Sequence, residues 1–361
     1  MKKIAVIGGG NGAHTLAADL VQRGFSVRMY ELPEYIGNLS VLANTKKITV
    51  TGVMNFTSEI EFLTDDMAKA LDGVNYICVV VPSVAHDRIA NEMKGIATKD
   101  QVMILYNGGC GSLIFRDILG EDCPIAVETN NLPYDTRLKG PAQVYCSGRN
   151  PIKGAFLPAE AAAAHWDDVC EVSPLTAAYE DVLECSLSLV NPSVHSGACV
   201  INMGHIEQEM VRGEFCMYEH FTPGCAKLDI AIDRERKAVG KAFGYHLCPL
   251  EEFSGRDLDK DLTWKELYMQ MHGDPSLTCI GGPHTIWNRY MTEDCPNGLV
   301  PWSDLGKICG VETPVIDGII AIYNIVHEKD WRACGRTAAK LGLAGMSKDQ
   351  IKEYVKTGKK A

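Results

Sequence analysis

The sequence contains no stretch of 18 or more apolar residues, so no segment reads as a membrane span. It has no excess of basic residues either. Its 35 Lys and Arg stand against 46 Asp and Glu, a formal net charge of −11 that a phosphate backbone would repel, which argues against a nucleic-acid partner. There is no Cys-x-x-Cys and no Cys/His pair at zinc-ligand spacing, although 14 cysteines are scattered from Cys78 to Cys334. Most sit in apolar stretches such as Ile77-Cys78-Val79-Val80-Val81, where a reduced thiol serves as a small hydrophobe. Neither a metal site nor a disulfide framework is expected, and the reading is a cytoplasmic protein. The N-terminus has only four apolar residues between Lys3 and three glycines, too few for the apolar part of a signal peptide. No internal repeat or low-complexity linker is visible.

What is present is an ordinary globular balance, 46% hydrophobic and 22% charged, over 361 residues, a length that suggests two domains. Up to about residue 187, β-branched runs alternate with helical stretches, the pattern of a parallel sheet with crossover helices. Strands are expected at 4–7, 27–30, 48–51, 60–62, 76–81, 102–106 and 125–128, a hairpin at 142–148 and 152–157, and helix over 158–186. Beyond that, strand signals almost vanish, and helices are expected at 196–212, 224–243, 262–271, 314–328 and 331–341, with a fraying end from Lys352. The fold class is therefore α/β: an N-terminal Rossmann domain with a doubly wound parallel sheet (1–187), followed by an all-α C-terminal substrate and catalytic domain (188–361).

Gly8-Gly9-Gly10-Asn11-Gly12-Ala13 fits G-x-G-x-x-A directly between a strand and a helix. Gly8 makes the tight turn, Gly10 lets backbone approach a pyrophosphate, Ala13 allows close helix–sheet packing, and the helix start at Asn11 and Gly12 offers free N–H groups. Glu31, at the end of the second strand, stands where a carboxylate accepts both adenosine ribose hydroxyls and repels a 2′-phosphate. NAD is thus favoured over NADP. Arg28 lies three residues upstream and is expected to point elsewhere. Pro82 opens the turn after the strongest strand, which can line the cofactor or be a plain strand-to-helix turn. Asn107, ahead of Gly108-Gly109-Cys110-Gly111, follows the next strand and can face a ligand or form a plain turn.

Reduction by such a cofactor needs a proton donor nearby, and His195 stands out. It follows Asn191-Pro192-Ser193-Val194 just past the domain boundary, where a side chain can face a cleft; a solvated or capping histidine is the plainer alternative. Several segments together sharpen this reading: Gly8 to His14, Glu128-Thr129-Asn130-Asn131-Leu132-Pro133-Tyr134, Asn191 to His195, Ile232-Asp233-Arg234-Glu235-Arg236, and Arg289-Tyr290-Met291-Thr292-Glu293-Asp294. As an ordered set covering nearly the whole chain, they resemble the octopine/opine dehydrogenase family. That resemblance implies NADH-dependent reductive condensation of a pyruvate-like α-keto acid with an amino acid or other amine, acting on a CH–NH group. It implies that His195 is the catalytic histidine, Asp294 its carboxylate partner, and Arg289 a ligand of the cofactor's pyrophosphate. Asn107 and Thr129 are expected to hold the keto acid. Cys295 and Asn297 depart from the family pattern and leave the shape of the amine pocket open.

Other residues carry plainer readings. His14 touches the cofactor or packs; Asp233 to Arg236 form an ion-paired helix face; His205, Glu207 and His284 face the cleft or solvent; Trp287 and Trp302 are expected in the core. Two competing functions share the architecture. A ketopantoate or 2-hydroxyacid-type reductase commonly uses a lysine early in its second domain, and residues 191–212 contain none. A non-catalytic NAD(H) sensor would bind cofactor without turnover. The oligomeric state and the identity of the amine stay open.

Overall fold

The computed structural model describes residues 2–209, 215–255, 257–272, 277 and 281–360. The chain forms two compact units, Met1–Cys185 together with Glu353–Ala361, and Ser186–Lys352. Among the described residues no helix is long and apolar enough to cross a membrane.

The first unit begins with β1 (Lys3–Ile7), α1 (Asn11–Gln22) and β2 (Ser26–Tyr30). Then come α2 (Ser40–Thr45), β3 (Lys47–Gly52), β4 (Phe56–Glu59), β5 (Phe62–Thr64) and α3 (Met67–Leu71). A second run alternates β6 (Tyr76–Val79), α4 (His86–Met93), β7 (Val102–Leu105), α5 (Gly111–Leu119) and β8 (Ile125–Thr129). The unit is completed by β9 (Tyr134–Gly140), β10 (Gln143–Arg149), β11 (Ile152–Leu157), α6 (Ala162–Val172) and β12 (Leu175–Ala178). The main sheet has the order β12-β11-β8-β7-β6-β1-β2-β5. Every pair in it is parallel except β8 with β11. The continuously apolar β6 and β7 are buried along their whole length, as central strands covered on both faces must be.

Two sequence expectations fail in this unit. The segments 142–148 and 152–157 are not a hairpin. Strand β10 pairs antiparallel with β9 and parallel with β3 in a separate four-stranded sheet, whereas β11 joins the main sheet. Helix α1 packs against strands of both sheets and is buried from Gly12 to Leu20. The Thr15–Thr136 hydroxyl pair (2.7 Å) and the bond from the Tyr134 hydroxyl to Asp19 (2.8 Å) tie it to the small sheet. The expected helix over 158–186 is broken at Ser173, and the chain makes edge strand β12 before resuming helix at α7 (Val182–Leu187). The last residues, placed by sequence in the second domain, return to the first unit. There Lys360 pairs with Asp117 (2.9 Å) and Arg116 donates to the Gly358 carbonyl (3.2 Å).

The second unit is helical, with no named strand among its described residues. Its long helices α8 (Asn191–Glu209) and α9 (Pro223–Phe243) pack against each other. Thr222 caps α9 with Pro223 at the first helical position, and Gly244 ends it in the left-handed region. Further helices are Glu251–Ser254, Trp264–Met271, Arg289–Thr292, Val300–Cys309, Pro314–Val326 and Trp331–Cys334. Helix α8 starts five residues before its expected start at 196; its expected end at 212 lies outside the described residues. The expected helix 331–341 stops at Cys334, because Gly335 is extended and the Arg336 N–H donates to the Pro296 carbonyl (2.8 Å). The motif from Asp233 to Arg236 is ion-paired, as expected, with Arg234 exposed. Asp233 and Arg236 are buried as an ion pair (2.6 Å), and Arg236 also donates to the Leu187 and Cys248 carbonyls. Glu235 accepts from the Val315 and Ile316 amides at the start of the helix Pro314–Val326.

Candidate active site

In the first unit the glycine turn has the shape its residues dictate. Gly8 sits at φ +117°, and a side chain there would meet the Val80 carbonyl oxygen at 2.5 Å. Gly10 faces outward with nothing within 4 Å of an added Cβ, so backbone is bare where a pyrophosphate needs to approach. Helix α1 starts there with no side-chain cap and no acidic residue in its first turn, leaving N–H donors and the positive dipole end for an anion. Gly12 and Ala13 are buried against the sheet side. Asn11 is exposed, and its Oδ1 accepts from the Leu138 amide (2.8 Å), so half of that side chain fixes β9 beside the turn.

Glu31 lies against Gly9, where an added Cβ would meet its Oε2 at 2.6 Å. Its Oε1 accepts from the Leu32 amide (2.8 Å), and burial pushes the carboxyl up from its ordinary value. The acid is thus at the glycine turn, as a ribose ligand must be. Arg28 is buried and spent on Glu61 (3.1 Å) and on the Asp72 carbonyl (2.6 Å). These residues fit a dinucleotide that lacks a 2′-phosphate. Pro82 follows β6 and Val81, whose side chain would lie 3.0 Å from a Cβ on Gly8. His14 is buried, with Nδ1 3.0 Å from the Gly10 carbonyl oxygen, so it braces the turn from inside.

Asn107 stands partly exposed at φ +58° after β7, and its amide donates to Thr129 Oγ1 (3.2 Å). Thr129 is fully buried and its hydroxyl donates to the Asn131 carbonyl (2.7 Å). Thr129, expected to hold the keto acid, thus lies behind the Asn107 turn, its hydroxyl proton engaged by the Asn131 carbonyl and its oxygen by the Asn107 amide. Glu128, which sequence reasoning passed over, is fully buried and accepts from the Cys110 and Ser112 amides at 3.0 and 2.8 Å. It caps α5 from within, so the start of α5 is occupied by the protein's own carboxylate.

In the second unit, His195 lies in the first turns of α8 rather than ahead of the helix. Its Nδ1 is 2.6 Å from Asp294 Oδ2, although 99 positions separate the two residues. The His195 side chain is 6% exposed and that of Asp294 13%. Burial is the largest influence on Asp294 and raises its carboxyl above the ordinary value; the hydrogen bond and charge of His195 partly offset this. Asp294 stands at the junction of the short helix Arg289–Thr292 and a π-helical turn, Cys295–Leu299. That turn contains the departing residues Cys295 and Asn297 and packs Gly298 onto Pro192, three residues before His195. A further ring is present that the sequence reading left without a role: Tyr290 stacks on His195 at 3.7 Å and 15°. Its place four residues before Asp294 was the available signal.

Arg289 is exposed and lies 3.8 Å from Glu293. His205 is half-buried against Phe215 and His220, Glu207 is exposed, and His284 is exposed. Trp302 is in the core, its indole donating to the Ser186 carbonyl, but Trp287 is 54% exposed, contrary to expectation, with its ring against His327. The described cysteines form no disulfide with one another and are mostly buried.

Comparison with known proteins places these two regions in context. A family model for the alpha-helical domain of NAD/NADP octopine/nopaline dehydrogenase matches residues 178–327. One for the N-terminus of NAD-dependent glycerol-3-phosphate dehydrogenase matches residues 3–123. Opine dehydrogenase from Arthrobacter sp. (strain 1C) is 32% identical, covering 98% of this chain and 99% of that protein. Vitopine synthase from Allorhizobium ampelinum is 26% identical, covering 97% and 98%. The structure of octopine dehydrogenase with NADH and L-arginine is similar at a TM-score of 0.77 and 21% identity, covering 100% and 99%, a likeness of fold.

Proposed function

This chain belongs to the opine dehydrogenase family of NAD-dependent oxidoreductases, and on that premise we propose that it condenses an α-keto acid with an amino acid or other amine and reduces the C=N bond so formed. The observation that carries the reading is the buried His195–Asp294 pair at 2.6 Å. A carboxylate on Nδ1 fixes the tautomer and stabilises the imidazolium, leaving Nε2 to exchange protons. His195 takes the surplus proton from the incoming ammonium group, so that a neutral amine adds to the keto carbon. It returns that proton to the carbinol oxygen, which departs as water and leaves a protonated imine. When bound, NADH supplies the hydride for the imine carbon. The bare start of α1 with Gly8, Gly10, Gly12 and Ala13 would hold the pyrophosphate, Glu31 the adenosine ribose, and Pro82 the path beyond it. Arg289, exposed in the second unit, would supply a charge to the pyrophosphate. Asn107 would face the keto acid, with Thr129 behind it.

The test is NADH oxidation by the purified protein with pyruvate, with and without a panel of amino acids and simple amines. Oxidation should require the amine. In His195→Ala it should fall by ~10²–10⁴-fold. Oxidation driven by the keto acid alone, or unchanged turnover in His195→Ala, defeats the proposal.

A further inference from the structure

The ring of Tyr290 lies over the face of the His195 imidazole, with centroids 3.7 Å apart and planes 15° from parallel. That separation leaves little lateral offset, an arrangement two neutral rings seldom favour because their quadrupoles oppose. A cation over the face of a phenol ring is attracted instead. Histidine becomes that cation whenever it holds the proton it transfers. Tyr290 lies in the short helix Arg289–Thr292 and Asp294 two residues past its end, so this short segment presents one to the face of the imidazole and the other to its Nδ1 edge. With Asp294 on Nδ1 and Tyr290 over one face, the ring is held in orientation, and Nε2 is the nitrogen left for proton exchange.

We propose that Tyr290 is a positioning residue of the reaction, holding the His195 imidazole by its face and stabilising the imidazolium formed in each turnover. The aromatic ring does this, not the hydroxyl. The inference rests on His195 being the proton-transfer group.

The test compares Tyr290→Leu, Tyr290→Phe and His195→Ala in the NADH-dependent reaction with pyruvate and the best amine found. Tyr290→Leu should lower kcat about 3- to 30-fold, with NADH affinity by fluorescence titration within about twofold of wild type. Tyr290→Phe should recover most of that loss. In a His195→Ala background, Tyr290→Leu should add almost nothing, because the ring has no imidazole left to hold. A loss in Tyr290→Phe as large as in Tyr290→Leu assigns the effect to the hydroxyl and overturns the proposal. So does a full additional loss in the double variant, or wild-type kcat in Tyr290→Leu. Should Tyr290→Leu not fold, Tyr290→Met, which also removes the ring but keeps apolar volume, takes its place in both comparisons. If His195→Ala itself keeps wild-type turnover, the functional reading fails first, an outcome separate from failure of the Tyr290 inference alone.

Discussion

Replacing Asp294 with asparagine changes one charge and almost no volume, which isolates what the carboxylate does. In the native chain its Oδ2 takes the Nδ1–H of His195 at 2.6 Å, and both side chains are largely withdrawn from solvent. A hydrogen bond to a charged group contributes ~1.5–3 kcal/mol net, and each ~1.4 kcal/mol is tenfold in rate. If the whole of that bond acts on the imidazolium-like transition state, kcat should fall about 10- to 150-fold. The upper end applies where the asparagine amide turns its NH₂ to Nδ1 and drives the proton to the other nitrogen. NADH affinity should stay within about twofold, since the glycine turn and Glu31 are unaltered by the substitution. Burial raises the Asp294 carboxyl. Wild-type activity should therefore fade on acidification at a higher pH than an ordinary aspartate would give, and this limb should be missing from the Asp294→Asn profile. Steady-state kcat from pH 4.5 to 9 measures both effects. An Asp294→Asn enzyme within threefold of wild type across that range refutes the reasoning.

Other perturbations reach different links. Gly298→Ala would bring a methyl to 2.3 Å from the Pro192 ring, prising apart the elements that carry the dyad; overpacking of this kind costs ~1–3 kcal/mol, so urea midpoints and kcat should fall together, and an unchanged midpoint argues against the contact. Glu31→Ala should weaken NADH binding about tenfold or more by losing a charged acceptor, while narrowing the preference over NADPH; paired fluorescence titrations showing the same ratio as wild type would remove Glu31 from the ribose site. Asp229 is fully buried against Gly197 of α8, and burial holds its carboxyl well above the usual range. A carboxyl raised in the folded state keeps its proton where the unfolded chain has lost it, so its contribution is greatest at low pH and declines as pH rises above the ordinary aspartate value. The stability of Asp229→Asn relative to wild type should therefore grow with pH, by up to ~1.4 kcal/mol per unit, and parallel pH curves for the two proteins in urea denaturation would contradict this.

The parts of this molecule written in local pattern were legible in the sequence. A short apolar run, three glycines and an apolar helix specify β1, the turn and α1 without help from afar, and Glu31 follows from the length of that unit. The apolar runs at Tyr76 and Val102 announce central strands because such strands are buried on both faces. Pairings across distance were not legible. Nothing near Val144 says that β10 will lie parallel to β3, some ninety residues earlier, and two adjacent strands read most simply as a hairpin. The burial of Thr129 and the occupation of the α5 start by Glu128 likewise depend on the β7–β8 register, which no short window contains. The dyad stands between these cases. Its members were named from the resemblance of ordered motifs, and the π-helical turn and the Pro192–Gly298 contact supply the packing that brings them together.

The most direct test of the account is the fate of the hydride itself. NADH deuterated at the transferred position is incubated with wild-type protein, pyruvate and an accepted amine, and the products are read by mass spectrometry and NMR. The account predicts a secondary amine carrying one deuterium on the carbon that was the ketone. Deuterium found instead in lactate, with the amine unaltered, would contradict it.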